Sequence, residues 1–363
     1  MGSVKLTRAG LIVLFPFGGA GLGCNTIIGL ELGEPEDSGS SQVCSSGLTE
    51  CPGGCVDLTT DATSCGSCGH DCQGGACLLS MCQPVTLASG QSFPKGIVVD
   101  KTNVYWTNSA EDGHVMKVPI GGGDPTILVY SQGFPNYIAV DAETVYWTNY
   151  QGHSVRKVSI DGGNPITVAL NLPDAHYPYG IAVDATNVYW TNSVSGTVMK
   201  SSIAAVGATA IVGEQSSPQG IAVDATNVYW TTSDPGAVMM APIDGTGGPV
   251  VLAVGLSAPS SVAVDATNVY WIEQGGAVMM APLDGTDEPI TLASNQSPYG
   301  IAVDSTNVYW TNYEGGAVMK VAINGGGDPI PLADAQDHPR GIAVDLTSVY
   351  WTNNGGTVMK VAK

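Results

Sequence analysis

Two groups of residues in this chain have types and spacings that could do chemistry. The first is a run of cysteines, Cys44, Cys51, Cys55, Cys65, Cys68, Cys72, Cys77 and Cys82. Within it, "CGSCGHDC" sets Cys65, Cys68, His70 and Cys72 at a spacing that a tetrahedral zinc ion could use. The competing reading is structural. An even number of cysteines in so short a segment forms a disulfide module, because the segment cannot close a hydrophobic core without crosslinks. Behind an export-like leader thiols oxidise, so disulfides are expected, with their connectivity open and no metal. The second group lies further on and mixes aromatic rings, histidines and a few cations. His114 beside Asp112 and His338 beside Asp337 are the base-with-carboxylate pairs that acid–base catalysis would need. The tyrosines and the remaining cations suit stacking and polar recognition instead.

What positions this second group is a tandem repeat. All seven Trp of the chain, Trp106, Trp147, Trp190, Trp230, Trp271, Trp310 and Trp351, recur at intervals of 39 to 43 residues within one phrase. In the sixth unit it runs "GIAVD", "NVYWTN", "AVMKVAI", "PIPLA", separated by "DSTN", "YEGG" and "NGGGD". Short runs rich in Val, Ile, Tyr and Trp between Gly, Asp and Asn turns are antiparallel strands, and nothing in the units has helical periodicity. Four strands per unit, seven times over, predict an all-β, seven-bladed β-propeller over residues 84–363. The last unit stops at Lys363 one strand short, and "PVTLA" at 84–88 is a fourth strand without a unit. Pairing the two closes the ring and removes its exposed edges. This joint would seat the cysteine module, through Cys82, near the top of the seventh blade's outer edge. Within "YW" the two rings point to opposite faces, one toward each neighbouring blade, and the Met of "VMK" packs between blades. The Asp of "IAVD" caps the turn that follows it.

Comparing the units with one another separates scaffold from variable surface. The loops "DATN" and "DGGxP" share one end, the bottom, and are nearly constant; the other two loops share the top and vary. The top carries Phe93, Phe134, Tyr137, Tyr150, Tyr177, Tyr179, Tyr299 and Tyr313, with His114, His153, His176 and His338. The residue between Pro and Gly before each inner strand should ring the channel mouth: Lys95, Asn136, Tyr179, Gln219, Ser260, Tyr299 and Arg340. These positions form the candidate ligand-binding face. Drift in unconstrained loops is the bland alternative, but equally exposed bottom loops carry almost no aromatics. The ring positions hold no carboxylate and no His, which favours binding over catalysis and implies no cofactor. The "GGGDP" turns sit between strands without a helix N-terminus, so they are not phosphate loops.

The "VYWTN" phrase resembles the YWTD repeat of low-density-lipoprotein-receptor-type propellers, and the whole unit is similar to NHL and virginiamycin-B-lyase-like propellers. The resemblance implies the fold over residues 84–363. Seven units stand where the receptor-type domain has six blades, and Asn, Thr or Glu stands where its motif ends in Asp, so fold carries over more readily than function. The lyase-like resemblance implies, as an alternative, a metal-dependent lactonase- or lyase-like enzyme. A structural cell-surface protein without a defined ligand is the third reading.

The segment "MGSVKLTRAGLIVLFPFGGAGLGC" has the charges, short apolar run and small residues of an export signal. Its "GLGC" resembles a bacterial lipobox, which implies diacylation of Cys24. Residues 25–43 are acidic and Ser-rich and read as a tether; residues 44–83 are the cysteine module, similar to small modules of myxobacterial lipoproteins. The chain is therefore expected to be extracytoplasmic, either an outer-membrane lipoprotein attached to the membrane only through its lipid or a secreted protein, monomeric, and a binder of a glycan, peptide or protein. With a net charge of −20 and no basic stripe, it lacks the footprint that displaces counterions from phosphate, so nucleic acid is excluded as a partner.

Overall fold

Each repeat folds as one four-stranded antiparallel sheet in a computed structural model that describes residues 44–169, 177–205 and 207–363. The sixth blade is typical, with strands Pro298–Val303, Asn307–Asn312, Ala317–Ala322 and Ile330–Ala333 in spatial order. The seventh takes three strands from the C-terminal end, Pro339–Val344, Ser348–Asn353 and Thr357–Ala362, and its outer strand, Val85–Ala88, from ahead of the first blade. Seven blades thus close with no orphan edge between first and last. The register places Val85 opposite Lys360 and Ala88 opposite Val358. An outer strand antiparallel to a descending third strand must rise, so Cys82 enters at the bottom of the seventh blade, not at its top as the sequence reading had it.

The "YW" pair organises the core. In each of the seven buried clusters the Tyr of one blade packs with the Trp of the next, as with Tyr105 and Trp147, or Tyr309 and Trp351. Successive strand residues face opposite sides of the sheet, so one dipeptide serves two interfaces. The methionines of the third strands, Met116, Met199 and Met319 among them, pack against the same clusters.

The bottom face is bonded in every unit. Each turn Asp accepts two backbone N–H groups through one oxygen and the core tyrosine's hydroxyl through the other. Asp224, for example, takes Thr226 N at 2.7 Å, Asn227 N at 2.7 Å and Tyr229 Oη at 2.6 Å. Burial of these carboxyls would raise their pKa, but the donated bonds outweigh it and hold Asp100, Asp184, Asp224, Asp265, Asp304 and Asp345 below the usual range. The lysine of "VMK" crosses to the next blade: Lys117, Lys157, Lys200 and Lys360 donate to the carbonyls of Ile160, Ile203, Ile243 and Ile120 at 2.5–2.9 Å. Lys363 ends the chain in the place of that isoleucine and instead pairs with Asp304 at 2.5 Å.

The cysteine module has two small hairpins and the four disulfides Cys44–Cys55, Cys51–Cys68, Cys65–Cys77 and Cys72–Cys82. Because Cys65, Cys68 and Cys72 are all crosslinked, none is a thiolate and the zinc alternative at "CGSCGHDC" falls. Cys65, Cys72, Cys77 and Cys82 share a buried cluster with Tyr309, Trp351, Val361 and Ala362, which docks the module on the sixth and seventh blades. The leader, the lipobox Cys24 and the acidic tether lie outside the described residues.

Candidate functional site

Each inner strand begins with a bulge. In the first blade Pro94 pairs with Asn108 and Ile97 with Trp106, so two residues of one strand, Lys95 and Gly96, oppose one of the other; the same shift recurs in all seven blades. A bulge re-aims the side chains beside it, here toward the axis. Glycine follows for a steric reason: a Cβ on Gly341 would lie 2.2 Å from the carbonyl oxygen of Lys95 in the next blade. The Thr of "YWT" exploits that closeness. Thr107 Oγ accepts from Gly96 N at 3.0 Å and donates to Asn136 O of the next blade at 2.7 Å. Thr148, Thr191, Thr231, Thr311 and Thr352 donate across in the same way. The fifth blade has Ile272 in place of Thr, and Ser261 in place of Gly donates to Tyr299 O at 3.1 Å instead. Two departures from the repeat thereby cancel, and the interblade ring has a donor at every joint.

The second break in the glycine ring is Tyr137. Its side chain enters the channel, where burial first, and then Tyr179 and Tyr299, raise its hydroxyl far above the ordinary tyrosine value. Tyr137 closes the channel like a floor. Below it lies a cavity of about 130 Å³ whose wall combines aliphatic side chains, from Ile97 round to Ile342, with the ring glycines and Ser261. Above it opens a mouth of about 420 Å³, lined by Tyr137, Tyr179, Tyr299, Tyr313, Ser260, Gln274, Ser297 and Glu314.

The structure brings the sequence candidates together unevenly. Tyr137 lies 5.0 Å from Tyr179, centroid to centroid, and Tyr150 lies 5.0 Å from Tyr177 and 6.1 Å from Tyr179. His153 packs edge-on to Tyr177 at 4.6 Å and extends this arc outward. A second arc runs from Tyr299 through Tyr313, stacked at 5.7 Å, to His338 at 4.9 Å. Lys95 sits 6.0 Å over the Tyr179 ring, and Arg340 lies 5.6 Å from Tyr299 and 5.5 Å from Tyr313. Desolvation at the mouth, reinforced by Arg340, pulls the Lys95 ammonium down to about 8. Ser260 lines the mouth, and Gln219 stands partly buried in its ring position.

Two candidates are placed otherwise. Asn136 is only 2% exposed, because Tyr137 takes the axial place in that blade and Asn136 turns into the protein. His114 packs edge-on against Tyr130 of the outer strand at 5.4 Å, away from the arcs. His176 lies outside the described residues. His338 does bond Asp337, at 2.7 Å, but both are exposed on the rim. Sequence reasoning passed over Ser261, and it listed Tyr137 as one more top-face aromatic rather than the channel floor. The signal for both was present, since "PNY" and "PSS" are the two units that break "P-x-G".

Chemically, the mouth offers flat aromatic faces, hydroxyls held protonated, and two cations. Burial raises the hydroxyls of Tyr137, Tyr179 and Tyr299 alike, so at neutral pH they donate hydrogen bonds rather than act as bases.

No protein-family model matches the chain, and no curated protein matches it. Its fold has solved counterparts. A streptogramin B lyase structure superposes with a TM-score of 0.67 at 15% identity, covering 77% of this chain and 96% of that one. A catalytically inactive virginiamycin B lyase from Staphylococcus aureus, with quinupristin, gives 0.68 at 16% identity and covers 77% and 98%. The nidogen/laminin complex gives 0.54 at 19% identity and covers 72% and 98%. At such identities the likeness establishes a β-propeller and nothing finer.

Proposed function

We propose that this protein is an exported, membrane-tethered recognition propeller that binds a glycan, peptide or protein on its top face. The observation that carries the reading is the convergence of Tyr137, Tyr179, Tyr299 and Tyr313 on a single mouth with Lys95 and Arg340 above their rings. Aromatic faces with a few placed polar groups are what a binding concavity needs. The export half of the reading rests on the leader, on the "GLGC" motif at Cys24, and on eight cysteines that all pair as disulfides. A structurally similar chain occurs in the nidogen/laminin complex, which is compatible with a macromolecular partner here.

The test is a thermal-shift screen of the secreted chain with oligosaccharides, peptidoglycan fragments and peptides, beside one with divalent metals and chelator. A stabilising ligand is expected, and replacing Tyr179, Tyr299 and Arg340 together by Ala should abolish its shift while the unbound transition stays cooperative. If the shift survives that triple change, the mouth is not the site. A transition moved by metal instead would favour the enzyme alternative.

A further inference from the structure

Six of the ten cations of residues 95–363 have a side-chain hydrogen bond or ion pair. Lys117, Lys157, Lys200 and Lys360 donate to carbonyls, Lys363 pairs with Asp304, and Arg156 donates to Gln132 at 3.1 Å. Lys320 feels the Asp304 charge at the bottom of its blade, and Lys101 sits exposed in a bottom turn. Lys95 and Arg340 are different. They occupy adjacent ring positions, repel one another, and lie over tyrosine rings that line the mouth, with no side-chain hydrogen bond or ion pair among the described residues. The Nε of Arg340 is buried without a hydrogen-bond partner, as is that of Arg156, but only Arg156 has its guanidinium held elsewhere, by Gln132. Glu314 is the carboxylate that lines the mouth; it stands on the exposed rim and forms no ion pair with either cation among the described residues. Two like charges set side by side where solvent is partly excluded cost free energy that a bound anion would recover.

The rest of the mouth says what carries the anion. A peptide could add as a strand only if the inner-strand backbone were free. At the bulge it is not, because the Thr hydroxyls take the Gly N–H groups and the facing carbonyls, as at Thr352 with Gly341 N and Lys95 O. Recognition must therefore come from side chains. The faces of Tyr179 and Tyr299 suit the C–H face of a sugar ring, and the protonated hydroxyls suit sugar hydroxyls. We infer that the channel mouth binds an anionic sugar, its charged group between Lys95 and Arg340 and its ring against Tyr179 and Tyr299. The inference rests on the recognition reading above and names the ligand class for that site.

Calorimetric titration with a matched set decides it: an oligogalacturonate, a sulfated galacto-oligosaccharide and the neutral galacto-oligosaccharide, with oligoglutamate as the peptide arm. At least one charged sugar is expected to bind about tenfold or more tighter than the neutral one, with an advantage that shrinks as salt rises. Whether carboxylate or sulfate binds better identifies the anion. Lys95→Gln and Arg340→Gln should each remove most of that advantage while leaving the unfolding transition cooperative. Equal binding of neutral and charged sugars, both lost in Tyr179→Ala, would overturn the charge inference and leave the recognition surface standing. Oligoglutamate binding as tightly as the charged sugars would overturn the sugar assignment, and no binding by any charged sugar would overturn the inference outright. Charged-sugar binding that persists in the Tyr179, Tyr299 and Arg340 triple variant would remove both readings.

Discussion

The two faces of this propeller are built from the same repeat and treat polar groups in opposite ways. On the bottom, Asp, Tyr and Lys recur unit after unit and nearly every one has its bonds made, as at Asp265, which binds Thr267 N, Asn268 N and Tyr270 Oη at 2.7–2.8 Å. On the top, "YWTN" supplies a repeated layer beneath, with Asn108 and Trp106 both donating to Gln91. Above that layer the side chains differ from blade to blade, and two cations have no counter-charge among the described residues. Saturated, repeated bonding is what a scaffold requires. Unsaturated, unrepeated chemistry in a concavity is what a site requires. The faces differ in what they leave undone.

The comparison can be broken most severely at the joint that both faces share. Deleting residues 84–88 removes the outer strand of the seventh blade and exposes the edge of Thr357–Ala362. Loss of the single cooperative transition in calorimetry is expected, a larger effect than any one substitution. A ring that unfolds as before would show that closure contributes little.

Next is the bottom face alone. Asp224→Ala leaves two N–H groups and the Tyr229 hydroxyl without their acceptor and should cost about 1–3 kcal/mol in denaturant unfolding. Top-face binding should not change. The same carboxylates set the acid limit. Their folded pKa values lie below the ordinary 3.8, so the stability they confer is fully present above that value and is lost as pH falls through the lower, folded ones. Thermal unfolding should therefore be flat from pH 7 toward 5 and decline steeply below about pH 4. Asp224→Ala should flatten the decline by about one proton.

A smaller effect tests the swap in the fifth blade. Ser261→Ala removes the donor to Tyr299 O and should cost about 1 kcal/mol. Adding Ile272→Thr should restore most of that loss, because Thr supplies this donor in the other six blades, as Thr311 does toward Arg340 O. A double-mutant cycle showing simple additivity would mean that the two positions do not compensate.

The smallest effect lies at the mouth and has the opposite sign. Lys95 faces Arg340 and the ring of Tyr179, and its folded pKa of about 8 lies below the ordinary 10.5. The charged form thus weighs against the folded state at neutral pH, and that weight lifts as pH rises from about 8 to 10.5. Lys95→Gln should raise the Tm slightly at pH 7 and remove any gain in that alkaline window. A Tm lowered by Lys95→Gln would place this lysine in the scaffold rather than the site.

Much of this was legible in the sequence because a propeller repeats its physics. Seven copies of "IAVD", "YW" and "VMK" each report the same local balance of strand, turn and interblade packing, so fold, blade count and the split closing blade follow from periodicity alone. The pattern also marked the variable face, since only there do the copies disagree. What it could not convey is direction and depth. The outer strand Val85–Ala88 rises rather than descends, which moves the cysteine module to the bottom; the antiparallel register decides that. Asn136 and Tyr137 are neighbours in one loop, and only the bulge determines that the tyrosine takes the axis while the asparagine is buried. Lys95 and Arg340 stand 245 residues apart in sequence and become a charge pair only when the ring closes. Sequence by itself determined the scaffold, because each of its bonds is local or repeats at a fixed interval. Tertiary structure decided the site, because its members come from different blades and meet only around the axis.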